Sequence, residues 1–378
     1  MRVLVVVQRT ISIAEPWLFR MVRGLGTECV GVAGRTDAGI SNSDLGVPYK
    51  RLRSRNLFHR VLPRSLREKS PYRPAKVLEA FGSQQKADRI LCNYGTVAVE
   101  LAEAWDLLKL PLFVHFHGFD FMFNMKELDG SGKPIHDPSY QGKVVALSHR
   151  ATLIANSEFC RTRLVAAGVS PDRVVVHYLG VQAGERSENA IADVPVILHV
   201  GRFVDCKGPD RTIAAFNLLR ESGSNAKLVM VGDGPERERC LALAAKSPFS
   251  ADIELPGVES YEAVSQRLKA ASIFSMHSMK GDASGQEEAF GVAFLDAMAA
   301  GLPVVTGRSG GIAEIVEHEK TGFLFRPGDV HGHADYLRQL VEDRSLSHRM
   351  GIAGWERVNA HFTQERSDAT LRDILNIV

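Results

Sequence analysis

Cysteine is scarce and scattered in this chain. Cys29, Cys92, Cys160, Cys206 and Cys240 are an odd number among 378 residues, and no C-x-x-C pair occurs. That pattern encodes neither a disulfide framework nor a zinc cage, and it suits a reducing compartment. No apolar run approaches the ~20 residues needed to span a bilayer. No charge of one sign dominates, because 46 Lys plus Arg against 44 Asp plus Glu leave +2. A balance this close to neutral argues against a protein built to coat nucleic acid, so no nucleic-acid partner is expected. Met1 and Arg2 lead straight into the β-branched run Val3 to Val7, with no signal-peptide cleavage region. A soluble, cytoplasmic protein is the expectation. Two motifs are also missing. The segment after that first run, Gln8 to Pro16, has no glycine, and a nicotinamide dehydrogenase would show G-x-G-x-x-G there. No D-x-D pair occurs to hold a metal–diphosphate, so neither a metal site nor a resident cofactor is expected.

What is present is an alternation of short apolar runs with helix-period stretches. At about 150 residues per domain the length allows roughly two to three domains. Hydrophobic residues make up 45% and charged residues 24%, as in an ordinary globular protein. Strand candidates in the first half are 3–7, 29–33, 89–93, 112–115, 153–156 and 174–178. In the second half they are 196–200, 227–231, 252–255, 273–276, 303–306 and 322–325. Runs of four to six Val, Ile and Leu separated by helices are what a parallel sheet buried on both faces demands. Two successive sets of six predict an α/β protein of two doubly wound, Rossmann-like domains facing across a cleft. The expected boundaries are 1–179, a polar linker at 180–194, a second domain at 195–355, and a C-terminal helix at 356–378 returning to the first domain.

Ligands of open parallel sheets bind beyond the carboxyl ends of the strands, so chemistry is sought in those loops. One is His199-Val-Gly-Arg202 running to Lys207-Gly208, where two cations flanked by glycines suit a diphosphate. A second runs from Gly281 to Pro303 and enters a helix at about Val292. Phe290, Gly291 and Val292 would present free backbone N–H groups there, a ready anion site. Glu288 just before the helix and Asp296 within it could bracket a phosphorylated sugar, since carboxylates accept hydrogen bonds from vicinal diols. Acids near a helix start are also common decoration worth only ~0.3–1 kcal/mol. A third loop, Val231-Gly-Asp-Gly-Pro235, places Gly232 beyond another strand. Met276, Met279 and Met298 read as core fillers, and Asn156-Ser-Glu158 as a helix cap. His331 and His333 lack ligands at a metal spacing and read as surface residues.

The ordered set of these segments, with Pro256-Gly-Val258, Glu288-Ala-Phe-Gly291, Gly310-Gly311 and Glu314, resembles the retaining family 4 glycosyltransferases of GT-B fold. The resemblance spans nearly the whole chain. It implies a retaining, metal-independent transfer of a hexosyl unit from a nucleoside diphosphate sugar to a glycan or lipid-linked acceptor hydroxyl. The residues leave uracil and guanine open, and UDP is placed ahead of GDP. By the same resemblance Glu288 and Asp296 stand for the family's E-x7-E pair, with the second acid one methylene shorter. Asp296 then grips the ribose, while Val258 and Glu259 lie near the base. Val114-His-Phe-His-Gly-Phe-Asp-Phe121 resembles the family's H-G-x-D loop, which places His117 facing the transferred sugar and Asp120 beside the reacting groups. The family's N-terminal glycine-rich loop is missing around Arg9 to Ser12. Two rivals are a nucleotide-sugar epimerase of similar fold and a non-catalytic nucleotide-sugar-binding protein.

Between Lys50 and Lys76 stand ten Lys or Arg residues and one acid, Glu68, interleaved with Leu57, Phe58, Val61 and Leu62. A basic amphipathic segment could dock on an anionic membrane surface, which would make the protein peripheral at the inner face of the membrane. A solvated helix face is the plainer reading of the same run.

Overall fold

The computed structural model describes residues 1–8, 16–34, 46–52, 73–118, 120–121, 138–182 and 193–376. The chain divides into two units. Unit 1 holds Met1–Phe121, His136–Tyr178 and Ser367–Val378, and the described part of unit 2 lies within Leu179–Arg366.

Unit 1 is built on a parallel sheet of seven strands. These are β1 (Val3–Val7), β2 (Cys29–Gly34), β3 (Tyr49–Arg51), β4 (Arg89–Asn93), β5 (Leu112–Phe116), β6 (Ala151–Ala155) and β7 (Val174–Val176). Their order is β3-β2-β1-β4-β5-β6-β7. β1 pairs with β2 on one side and β4 on the other. All five of its residues are buried, which is why it reads as an unbroken β-branched run. The seventh strand, β3, was not expected. It is a three-residue edge strand, half-buried at Tyr49 and Arg51 and exposed at Lys50, so it carries no apolar run.

Unit 2 repeats the plan with six strands: β8 (Val196–Val200), β9 (Lys227–Val231), β10 (Ile253–Gly257), β11 (Ile273–Met276), β12 (Val304–Gly307) and β13 (Gly322–Phe325). Their order is β10-β9-β8-β11-β12-β13, all parallel. Its core gathers Ile197, Phe203, Phe216, Leu228, Ile273 and Leu337. Met276, Met279 and Met298 are buried as filler. Helix starts are capped by side chains at Ser157, which accepts from Cys160 N, and at Ser260, Asp329 and Asp343.

The return to unit 1 comes at Ser367, inside the helix Gln364–Ile374, and not at 356. The preceding helix, Arg344–His361, is held in unit 2 by small residues. A Cβ on Gly351 would fall 2.0 Å from the Gly301 carbonyl oxygen, so only glycine lets the two backbones approach. Beyond Ser367, Arg372 donates to the Gly24 and Leu25 carbonyls and pairs with Glu28. Twenty residues of the basic run, 53–72, and the Arg9 to Ser12 stretch lie outside the described residues. Among the described residues no helix is long and apolar enough to cross a membrane.

Candidate active site

In unit 2 the chain leaves β8 through Gly201 and Arg202 and makes a short turn, Asp205–Lys207, closed by Gly208 in the left-handed region at φ +48. Asp205 holds this turn to the 281–286 segment. Its carboxylate accepts from Cys206 N (2.8 Å), Ala283 N (3.0 Å), Ser284 N (2.8 Å) and Ser284 Oγ (2.8 Å). Lys207 Nζ then meets Glu288 Oε2 at 2.8 Å, with side chains only 20% and 17% exposed. Burial opposes the charge on Lys207, but Glu288 outweighs it and holds the ammonium above its ordinary range.

Glu288 is fixed through its backbone. Its carbonyl accepts from Gly311 N at 2.9 Å. A Cβ on Gly310, which sits at φ +56, would fall 1.9 Å from that same oxygen. The Gly310-Gly311 pair is therefore a cradle for one carbonyl. Three residues after Glu288, Gly291 (φ +100) caps the helix Val292–Ala299. The first N–H groups of that helix have no carbonyl one turn earlier, and its dipole favours an anion there. Glu288, Lys207 and this helix start thus come together within one unit, with Arg202 exposed on the turn leading to Lys207 and Asp296 half-buried in the helix. The Phe290 side chain is buried against Phe362.

Two further candidates have protein contacts of their own. Gly232 is demanded by packing, since a Cβ there would fall 1.9 Å from the Gly201 carbonyl oxygen. Glu259 is turned away to Arg267 (2.9 Å), which also grips Glu254 at 2.6 Å. That double pair fixes the segment after β10 and leaves Val258 61% exposed at its tip.

In unit 1, β5 delivers His117 just past Phe116. Its ring is half-buried, 4.0 Å from Trp17 between centroids, 5.1 Å from Tyr94 and 4.2 Å from His115. Its Nε2 lies 3.0 Å from Asn93 Oδ1. Burial lowers its pKa well below the ordinary histidine value, so the ring is neutral at pH 7. Asp120 lies on the same loop. Its carboxylate is fully buried and is occupied by backbone donors, Gly95 N at 2.8 Å and His117 N at 2.9 Å. Burial raises its pKa to about 6 despite those hydrogen bonds. Asp120 thus ties together the backbone of the loop that presents His117.

His333 also departs from expectation. It is completely buried, with Nε2 2.6 Å from Ser275 Oγ and Nδ1 3.0 Å from His277 Nδ1. On its helix its position one turn from Asp329 and beside Ala334 and Leu337 is the inward face, a period the pair His331/His333 conceals. Asp205, Asn93 and Trp17 were also missed, and only their places beside strand ends could have signalled them.

Residues 182–357, nearly all of unit 2, match the family model of glycosyl transferases group 1. This stretch is therefore similar to the group 1 glycosyl transferases. A GDP-mannose-dependent alpha-(1-6)-phosphatidylinositol monomannoside mannosyltransferase of Mycobacterium tuberculosis is 32% identical over 190 residues, covering 50% of this chain and 49% of that protein. The N-acetyl-alpha-D-glucosaminyl L-malate synthase of Bacillus anthracis is 32% identical over 171 residues, covering 45% of this chain and 42% of that protein. The chain thus spans about half the length of these curated relatives. Among solved structures, Anabaena Alr3699/HepE in complex with UDP superposes with a TM-score of 0.80 at 20% identity, covering 100% of both chains. The sucrose-phosphate synthase of Thermosynechococcus elongatus gives 0.80 at 20% identity, covering 100% and 98%. The fold is GT-B, as the group 1 motifs implied.

Proposed function

We propose that the protein is a retaining glycosyltransferase moving a sugar from a nucleoside diphosphate sugar, UDP ahead of GDP, to a glycan or lipid-linked acceptor hydroxyl. The observation that carries this reading is the Lys207–Glu288 pair beside the start of the helix Val292–Ala299, within the group 1 residues. As the glycosidic C–O bond breaks, negative charge gathers on the departing diphosphate. Arg202, Lys207 and the first N–H groups of that helix supply preorganised positive charge for it, the work a metal ion does elsewhere. Glu288 orients sugar hydroxyls and Asp296 accepts from the ribose. His117 is the unit 1 side chain assigned to the transfer step, with Asp120 holding its backbone.

The choice of UDP draws on the solved relative that carries it; the mannosyltransferase relative, named for GDP-mannose, favours guanine as the second reading. A thermal-shift screen with UDP, GDP, ADP and their sugars separates the two, because a ligand bound only by the native state raises its melting temperature. Release of nucleoside diphosphate together with a glycosylated product establishes transfer. An altered sugar still joined to its nucleotide, or no turnover at all, overturns it.

A further inference from the structure

Unit 1 contains a line of polar side chains that the site above does not use. His115 on β5 is fully buried, and His177, one residue past β7, is 1% exposed. His177 Nε2 lies 2.9 Å from the main-chain oxygen of Ser367, on the helix Gln364–Ile374. Nε2 also lies 3.1 Å from Ser367 Oγ, which can donate or accept, whereas the carbonyl only accepts; in the tautomer that donates to the carbonyl, Nδ1 of the neutral ring is bare. That bare Nδ1 is 3.4 Å from His115 Nε2, which must therefore be the donor. In that tautomer the hydrogen bonds run in one direction, from His115 to His177 to Ser367. The His115 ring in turn stands edge-on to His117, 4.2 Å between centroids at 64°. The far side of His117 is closed by Trp17, and Asn93 holds Nε2.

Burying two imidazoles is costly, the more so because His115 Nδ1 has no partner among the described residues, and apolar residues would fill these two positions without that cost. This line ends, moreover, against the one half-exposed histidine of the cluster. Nδ1 of His117 is buried and has no partner among the described residues. We infer that His177 is a positioning residue for the transfer reaction, which fixes the His117 ring through His115 and is itself anchored by the carbonyl of Ser367. The C-terminal helix thereby sets the geometry of a side chain 250 residues earlier in the chain, since Ser367 and His117 differ by that count. The inference rests on the role proposed for His117.

The test compares His177→Leu, which removes both hydrogen bonds, with His177→Asn, whose Oδ1 replaces the acceptor facing His115. Three readouts are taken: kcat, donor affinity, and the imidazole nitrogen spectrum of 15N-histidine-labelled protein. The expected result for His177→Leu is a kcat about tenfold lower at unchanged donor affinity, because misplacement acts on the transfer step. His115 and His117 nitrogen resonances should move in this variant. His177→Asn should recover most of kcat and return those resonances towards their wild-type positions. Equal kcat loss in both variants, loss of donor affinity in step with kcat, or an unmoved His117 spectrum overturns the inference. If the wild-type protein transfers no sugar, the proposed function fails, while the spectra still decide whether His177 controls the His117 ring.

Discussion

A double-mutant cycle on Lys207 and Glu288 tests the core of the donor site. The two groups lie 2.8 Å apart with about four-fifths of each side chain covered. A fully exposed pair is worth ~0–1 kcal/mol, whereas stranding one charge of a fully buried pair costs ~3–5 kcal/mol. The partial cover of this pair points to about 2 kcal/mol for either Lys207→Met or Glu288→Leu. For a unit of this size that is a fall of about 4–8 °C in melting temperature. The double variant leaves no stranded charge, so it should be more stable than the sum of the single losses predicts, by about 1–2 kcal/mol. Ligand binding should split the pair. Lys207→Met should weaken UDP binding while leaving uridine binding unchanged, since only the diphosphate meets the ammonium. Glu288→Leu frees Lys207 and should leave UDP binding intact. Calorimetric melts of all four proteins, with and without UDP, measure both parts. Strictly additive stability losses, or UDP and uridine affected alike in Lys207→Met, would refute the reasoning.

Glu288→Ala should lower kcat far more than UDP affinity, measured by steady-state kinetics beside titration calorimetry; equal losses would move Glu288 to the nucleotide subsite. Gly310→Ala should cost at least about 2 kcal/mol, because the added Cβ meets the Glu288 carbonyl oxygen at 1.9 Å in a left-handed backbone, and melting curves alongside activity check it. Stability should fall on acidification from pH 7 to 5. Burial lowers His177 and His277 to about 4 and His199 to about 3, so the unfolded chain binds protons below pH 6.5 that the folded one refuses, and each histidine costs up to about 2 kcal/mol by pH 5. Asp120, raised to about 6, works the other way between about pH 6 and its unfolded value near 3.8, and offsets only about one of them. A melting temperature that is flat or rises towards pH 5 contradicts this balance. If residues 50–76 dock on membrane, the protein should co-sediment with anionic but not neutral liposomes, and Arg51→Glu with Arg55→Glu should reduce it; equal behaviour on both would favour a soluble acceptor.

The parallel strands were legible because each is a short β-branched run buried on both faces, and the period restarts cleanly at Val196. The strand β3 was illegible for the opposite reason: Tyr49-Lys-Arg51 lies at an edge, where the pattern that betrays a central strand is not required. The return at Ser367 was not legible because what ties the preceding helix to unit 2, the approach of Gly351 to the Gly301 carbonyl, is a tertiary contact. In the candidate site, Glu288, Lys207 and the start at Val292 were legible as residue types at strand ends. Their direct ion pair was not, since 81 residues separate Lys207 from Glu288.

Three polar residues of the sequence reading share one physical property. Asp120, Glu259 and His333 are polar groups whose partners are fixed by tertiary contact: two backbone N–H groups, one arginine, and a serine with a second histidine. A motif states which group is present and roughly where, and it is silent on whether the group's hydrogen-bonding capacity is already consumed. That consumption decides between acting on a ligand and holding a loop. An acceptor filled by two backbone donors has little left to offer a substrate, and one whose partner is missing is held for something else. By this criterion the side chains that act divide from those that position. Asp120 is filled and therefore builds the loop, while His117 has Nε2 held by Asn93 and a buried Nδ1 without a partner among the described residues.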